Sequence, residues 1–148
     1  MSDPAPILLV EDNIADVELT LRAFQRRRIS NPIVVARDGE EALDYVHRRG
    51  AFADGAPTPG IVLLDLRLPK VDGLDVLKEL KAHPVYRHVP LVVLTTSAED
   101  RDIKRSYELG ASSYIVKPVE FEKFRDVVER IDLYWIVTNV PYPAGQAS

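Results

Sequence analysis

Five residues of the chain could act together chemically: Glu11, Asp12, Asp65, Thr95 and Lys117. Each stands at the end of a short apolar run. Ile7 to Val10 leads into Glu11 and Asp12, Ile61 to Leu64 into Asp65, Leu91 to Leu94 into Thr95 and Thr96, and Ser113 to Val116 into Lys117 and Pro118. A carboxylate behind an apolar run costs free energy to desolvate unless a partner compensates it, so Asp65 is a strand-end cap, a salt-bridge member or a site residue. Taken singly, an acid after a strand is most often a turn or cap residue, and a lone Lys a solvated charge. Together the five describe a site. Packed carboxylates raise one another's proton affinity unless a cation neutralises them, and an all-oxygen cluster suits a hard ion such as Mg²⁺. Lys117 is a counter-charge for one carboxylate, and for added negative charge in another state. Thr95 supplies a hydroxyl donor at the same rim.

The elements that must position these residues follow from the apolar pattern. The four runs above and a fifth, Ile33 to Val35, are continuous rather than alternating, as in strands buried on both faces of a parallel sheet. Between them lie segments of helical spacing: Ile14, Val17, Leu21 and Phe24, then Ala42 and Val46, then Leu74, Leu77 and Leu80. A fourth segment, about Glu99 to Leu109, has only Ile103, Tyr107 and Leu109 to offer a core, and is the least committed to it. Asn13, Asp38, Asp72 and Ser97 or Ala98 stand where helices should start; Gly50, Gly60 and Gly110 stand at or beyond their ends. The loop Ala51 to Gly60 exceeds the usual connection. Strands alternating with helices give an α/β fold, a doubly wound five-stranded parallel sheet with helices on both faces. Such sheets bind ligands outside the carboxyl ends of their strands, where the five residues stand.

Composition bounds the function. At 148 residues, with 46% hydrophobic and 28% charged residues, one domain with one core is expected. The formal charge of −4 argues against a general nucleic-acid binder. The basic clusters Arg26 to Arg28 and His47 to Arg49 each close an expected helix, where the helix dipole favours cations. There is no cysteine, and no apolar run of membrane-spanning length, so a cytoplasmic protein without membrane contact is expected. The three histidines share no ligand spacing and read as surface residues with no metal or phosphotransfer role.

The stretches LLVEDN (Leu8 to Asn13), LLDLRLPKVDG (Leu63 to Gly73), VVLTTS (Val92 to Ser97) and YIVKP (Tyr114 to Pro118), in this order, resemble the receiver domains of two-component response regulators. The resemblance covers about residues 5 to 135 and implies a flavodoxin-like sheet of strand order 2-1-3-4-5. It implies that Asp65 is the phosphoacceptor, receiving a phosphoryl group from the phosphohistidine of a sensor histidine kinase. Asp12, Asp65 and the backbone carbonyl of Arg67 would ligate Mg²⁺, with Glu11 held through water. Thr95 and Lys117 would contact the phosphoryl oxygens, Thr95 and Tyr114 forming the switch. Such a protein is no enzyme in the ordinary sense, since it catalyses only its own phosphorylation and dephosphorylation. Thr96 and Arg67 depart from many relatives, and both are expected to crowd the path of a hydrolytic water.

Competing readings are weaker on the residues. A haloacid-dehalogenase-type phosphatase would place a second Asp two residues after the first, where Arg67 stands. Neither glycine-rich nucleotide loop, G-x-G-x-x-G or G-x-x-x-x-G-K-[ST], occurs. A flavodoxin-like small-molecule binder or an interaction scaffold would not need the five residues.

At the C-terminal end, a helix from about Val119 to Thr138 is expected, with Phe121, Phe124, Val127, Val128 and Ile131 facing the core. The apolar surplus that follows, Leu133, Trp135, Ile136, Val137, Val140 and Tyr142, exceeds what one helix face can bury and marks a partner surface, most simply a symmetric homodimer. Pro141 and Pro143 end the helix, giving a receiver domain over residues 5–138 and an extended arm over 139–148. The YWI stretch and its proline-containing arm resemble the stand-alone response regulators of bacterial and cyanobacterial phytochromes, which implies a bacteriophytochrome as the kinase.

Overall fold

The computed structural model describes residues 4–131. Five strands, β1 (Ile7–Val10), β2 (Ile33–Ala36), β3 (Ile61–Leu64), β4 (Leu91–Thr95) and β5 (Ser113–Val116), alternate with five helices, α1 (Ile14–Arg26), α2 (Gly39–His47), α3 (Gly73–Ala82), α4 (Asp100–Leu109) and α5 (Phe121–Glu129). One-turn 3₁₀ segments at Gly50–Phe52 and Tyr86–His88 lie in the connections before β3 and β4. All strand pairs are parallel, in the order β2-β1-β3-β4-β5. The order reverses between β1 and β3, so the crevice of such a sheet opens beside the residues that follow these two strands.

The continuous apolar strands feed two cores. Alternate side chains Leu8, Val10, Val62, Leu64 and Val93 pack with Ala42, Val46, Val76, Leu77 and Leu80 of α2 and α3. The intervening ones, Ile7, Leu9, Ile61, Leu63, Val92 and Leu94, pack with Val17, Ala23 and Phe24 of α1 and with Phe124 and Val128 of α5. Strand residues point alternately to opposite faces, so a four-residue run with no polar member must be covered twice.

Asn13, Asp38 and Asp72 cap α1, α2 and α3, each side chain accepting a backbone N–H of the first turn. Four expectations are corrected. Glu99 rather than Ser97 or Ala98 occupies the N-cap position of α4, without a side-chain cap, while the Ser97 hydroxyl donates to Asp102 Oδ2 at 2.5 Å and accepts the Glu99 N–H at 3.4 Å. Helix α5 begins two residues later than Val119, and Arg130 closes it through N–H groups that also reach three residues back, a tightened last turn. Phe121, at its first position, is 63% exposed, leaving the inner stripe to Phe124, Val128 and Ile131. His83 is half-buried rather than superficial: its Nδ1 accepts the backbone N–H groups of Val85 and Tyr86 at 3.1 and 3.2 Å. As expected, α4 is weakly committed, burying fully only Ser106. The dimer residues Leu133, Trp135, Ile136, Val137, Val140 and Tyr142, and the arm over 139–148, lie outside the described residues.

Candidate functional site

Asp65 follows β3 at the sheet's carboxyl edge, its N–H bonded to the Val10 carbonyl at 3.0 Å. Its side chain is buried and both oxygens are engaged. Oδ1 accepts the N–H of Arg67 at 3.1 Å, and Oδ2 accepts from Lys117 Nζ at 3.0 Å. The loop that supplies the Arg67 N–H turns tightly. Lys70 sits at φ +68°, and Gly73 packs so closely that a Cβ there would lie 2.4 Å from Leu66 Cα and 2.6 Å from the Asp65 carbonyl oxygen. Only a residue without a side chain fits between α3 and this backbone.

Lys117 is the hub. Its ammonium donates to Glu11 Oε1, to Asp65 Oδ2 and, at 3.0 Å, to Asp16 Oδ2. The side chain is 3% exposed, and Nζ lies 5.7 Å from the centre of the Phe124 ring. Glu11 is buried as deeply, its second oxygen accepting the Asn13 N–H at 3.2 Å. Burial pushes the Glu11 carboxyl up to about 8, the charge of Asp65 adding to the rise while Lys117 opposes it. Burial by itself would lower Lys117, but Asp65 and Glu11 outweigh it and hold the ammonium above its ordinary value. Several carboxylates thus share one cation, and Glu11 is the one that relieves the excess negative charge by retaining its proton near neutral pH.

Glu11, Asp12 and Asp65 each offer a carboxylate oxygen, these atoms lying within 4.8 Å of one another, with Asp12 on the solvent side. An all-oxygen, partly buried, under-neutralised set fits a hard divalent cation with room for water ligands. Among the described residues this is the one group of three or more acidic, histidine or cysteine side chains so arranged.

Thr95 ends β4 fully buried, its Oγ1 accepting the Ser97 N–H at 3.5 Å. Tyr114 in β5 is partly buried, and its hydroxyl donates to the Ser97 carbonyl at 2.8 Å, bridging β5 to the loop that begins α4. The Arg67 side chain does not lie over Asp65 as expected. It is 58% exposed and reaches Glu99 and Asp102 of the α4 start at 3.9 and 3.7 Å, because two carboxylates await it there. Thr96 is exposed. Asp16, whose Oδ2 accepts from Lys117 at 3.0 Å, joins the site without having been expected from the sequence. No local spacing marks it, because an acid in the first turn of a helix ordinarily serves the helix dipole and its partner Lys117 is remote in sequence.

A parallel sheet of order 2-1-3-4-5 with a buried carboxylate, a lysine and a divalent-cation pocket at its carboxyl edge defines a class of α/β signalling domain. The chain belongs to the response regulator receiver domain family, whose model matches residues 7–129. It is 48% identical over 145 residues to the "Probable methanogenesis regulatory protein FilR2" of Methanothrix harundinacea, a match covering 96% of this chain and 91% of that one. It is 38% identical to the response regulator Rcp1 of Synechocystis, covering 96% and 95%. Among solved structures, the Mn²⁺-bound form of Rcp1 is similar at TM-score 0.88 and 36% identity, covering 94% of this chain and 99% of that one. The phosphorylated cyanobacterial phytochrome response regulator RcpA follows at 0.86 and 38%, covering 93% and 98%. The bacteriophytochrome response regulator AtBRR is similar at 0.71 and 50%, covering 86% and 92%. Among the described residues no helix is long and apolar enough to cross a membrane.

Proposed function

We propose that the chain is a phosphoacceptor: Asp65 receives a phosphoryl group from the phosphohistidine of a sensor histidine kinase, one belonging to a phytochrome. The observation that carries this reading is the environment of Asp65, a buried carboxylate gripped by a backbone N–H on one oxygen and an ammonium on the other, beside a cation pocket. A carboxylate oxygen attacks phosphorus, the phosphorus–nitrogen bond breaks, and the departing imidazole takes up a proton, leaving an aspartyl phosphate. Attack by one anion on another needs charge neutralisation, which Lys117 supplies in part and to which a Mg²⁺ ion held in the pocket would add. Asp12, Asp65 and the Arg67 carbonyl would hold the ion, and Glu11 would hold it through water. The Arg67 N–H orients Asp65, and burial excludes bulk water from it.

After transfer, Thr95 and Lys117 contact the phosphoryl oxygens. Thr95 moving toward them leaves space beside β5 that Tyr114 enters, which breaks its bond to Ser97 and frees the start of α4. Helix α4 suits that role because it is so lightly packed. Exposed Ile14 and Val119 flank the site, one residue beyond Asn13 and two beyond Lys117, and offer apolar contact to the donor protein. The receiver domain over 5–138, the arm over 139–148 and a homodimer through Leu133, Trp135, Ile136, Val137, Val140 and Tyr142 complete the proposal, with output by protein contact in the cytoplasm. The AtBRR and RcpA likenesses support the phytochrome assignment.

Phosphotransfer profiling tests the reading. Autophosphorylated sensor kinases of the source organism are each mixed with the wild type and with Asp65→Asn. One phytochrome kinase should pass its label rapidly to the wild type and not to the variant. Transfer to both proteins alike, or only from a kinase unrelated to phytochromes, would remove the corresponding part.

A further inference from the structure

We infer that Asp16 is a positioning residue of this site, a carboxylate that takes a share of Lys117 from Asp65 and Glu11 and so keeps the cation pocket open; the inference rests on the phosphoacceptor reading above. An acid in the first turn of a helix ordinarily serves the helix dipole, and Asp16 stands in the first turn of α1. Its side chain does more than that. Asp16 Oδ2 lies 3.0 Å from Lys117 Nζ, as close as Asp65 Oδ2, and three-quarters of the Asp16 side chain is shielded from solvent.

An ammonium has three N–H donors. Those of Lys117 meet three carboxylates, Glu11, Asp16 and Asp65, and at 3% exposure no water competes for them. Two of the three acceptors, Glu11 and Asp16, belong to β1 and α1, and one to β3. Of the three acceptors only Asp16 lies outside the cation pocket, so it alone draws the lysine away from the pocket carboxylates.

Asp16 is held in place to do this. Its N–H is fixed by the Asn13 cap at 3.1 Å, and its carbonyl accepts the Thr20 hydroxyl at 2.8 Å. Without the Asp16 carboxylate a buried donor loses its acceptor. That state is costly, so Nζ closes further on Glu11 and Asp65, the two acceptors it already meets. Both are members of the cation pocket. Asp16 thus acts on the metal through the lysine, without being among the carboxylates that converge on the pocket.

The test is Mg²⁺ titration by calorimetry of the full chain as wild type, Asp16→Asn, Asp16→Glu, Glu18→Gln, Lys117→Gln and the Asp16→Asn/Lys117→Gln pair. Thermal melts are run on each. Asp16→Asn should weaken Mg²⁺ about three- to fivefold, the size of one partly shielded ion pair. Asp16→Glu, which keeps the charge, should recover most of that loss. Glu18→Gln, which removes an exposed acid from the same helix, should shift affinity by less than about twofold. In the Lys117→Gln background, removing Asp16 should have no more effect than Glu18→Gln. Equal shifts with and without Lys117 would make Asp16 a bulk charge and overturn the inference, as would an unchanged or tighter Asp16→Asn. A wild type that binds no Mg²⁺ would overturn the phosphoacceptor reading together with the inference. Normal wild-type binding with an indifferent Asp16 would overturn the inference alone.

Discussion

Replacing Gly73 by Ala is the sharpest structural perturbation of the site that leaves every chemical group in place. The added Cβ would stand 2.4 Å from Leu66 Cα and 2.6 Å from the carbonyl oxygen of Asp65, and both obstacles are backbone. Ordinary contact begins at 3.4 Å, so the loop carrying Asp65, Leu66 and Arg67 must retreat by about 1 Å. That retreat moves the Arg67 N–H away from Asp65 Oδ1 and shifts the Arg67 carbonyl. Overpacking of this kind costs about 1–3 kcal/mol of stability. An ångström of misplacement at a reacting group can cost on the order of a hundredfold in rate. Labelling with acetyl phosphate and Mg²⁺ should therefore slow by one to two orders of magnitude in a protein that still melts cooperatively. A folded Gly73→Ala protein labelled at the wild-type rate would refute the claim that this loop positions Asp65.

Further predictions concern protons and packing. Because the metal-free Glu11 carboxyl is raised to about 8, Mg²⁺ uptake near neutral pH should release close to one proton, measured by calorimetry in buffers of different ionisation heat. Apparent affinity should climb with pH until about 8 and then level off; pH-independent affinity would contradict the Glu11 assignment. The same raised value makes Glu11's contribution to metal-free stability greatest below its unfolded value, lost as pH rises through about 8, and a urea series across that window should show the decline. Burial, with the charge of His47 adding, lowers His83, so its contribution is present above the unfolded value near 6.5 and lost as pH falls through the lower folded one. His83→Asn should flatten that acid limb. Leu63→Ala, at a fully buried position between α1 and α5, should cost about 2–5 kcal/mol in urea unfolding without altering the Mg²⁺ stoichiometry.

Much of this architecture can be read from residue types because strands and acids obey local rules. Uniformly apolar four-residue runs need covering on both faces, so the parallel sheet and the placement of Glu11, Asp12, Asp65, Thr95 and Lys117 along one edge follow from pattern alone. Helix caps at Asn13, Asp38 and Asp72 follow equally, since each Asx side chain accepts an N–H of its own first turn. Ser97 and Arg67 depart from expectation for different reasons: the serine hydroxyl donates to Asp102 five residues on, while Glu99 and Asp102, remote in sequence, draw the arginine away from Asp65. Asp16 escaped because a helix places it beside a lysine 101 residues along the chain, a juxtaposition no local spacing contains. Phe121 was assigned to the core on its spacing alone, which does not reveal where α5 begins.

The most direct measurement of the central claim is the intact mass of the protein after incubation with acetyl phosphate, with and without Mg²⁺, for wild type and Asp65→Asn. The wild type should gain one phosphoryl group only when Mg²⁺ is present, as an acyl phosphate cleaved by hydroxylamine, and Asp65→Asn should gain none. A wild type that stays unmodified with Mg²⁺, or an Asp65→Asn protein modified to the same extent, would contradict the account.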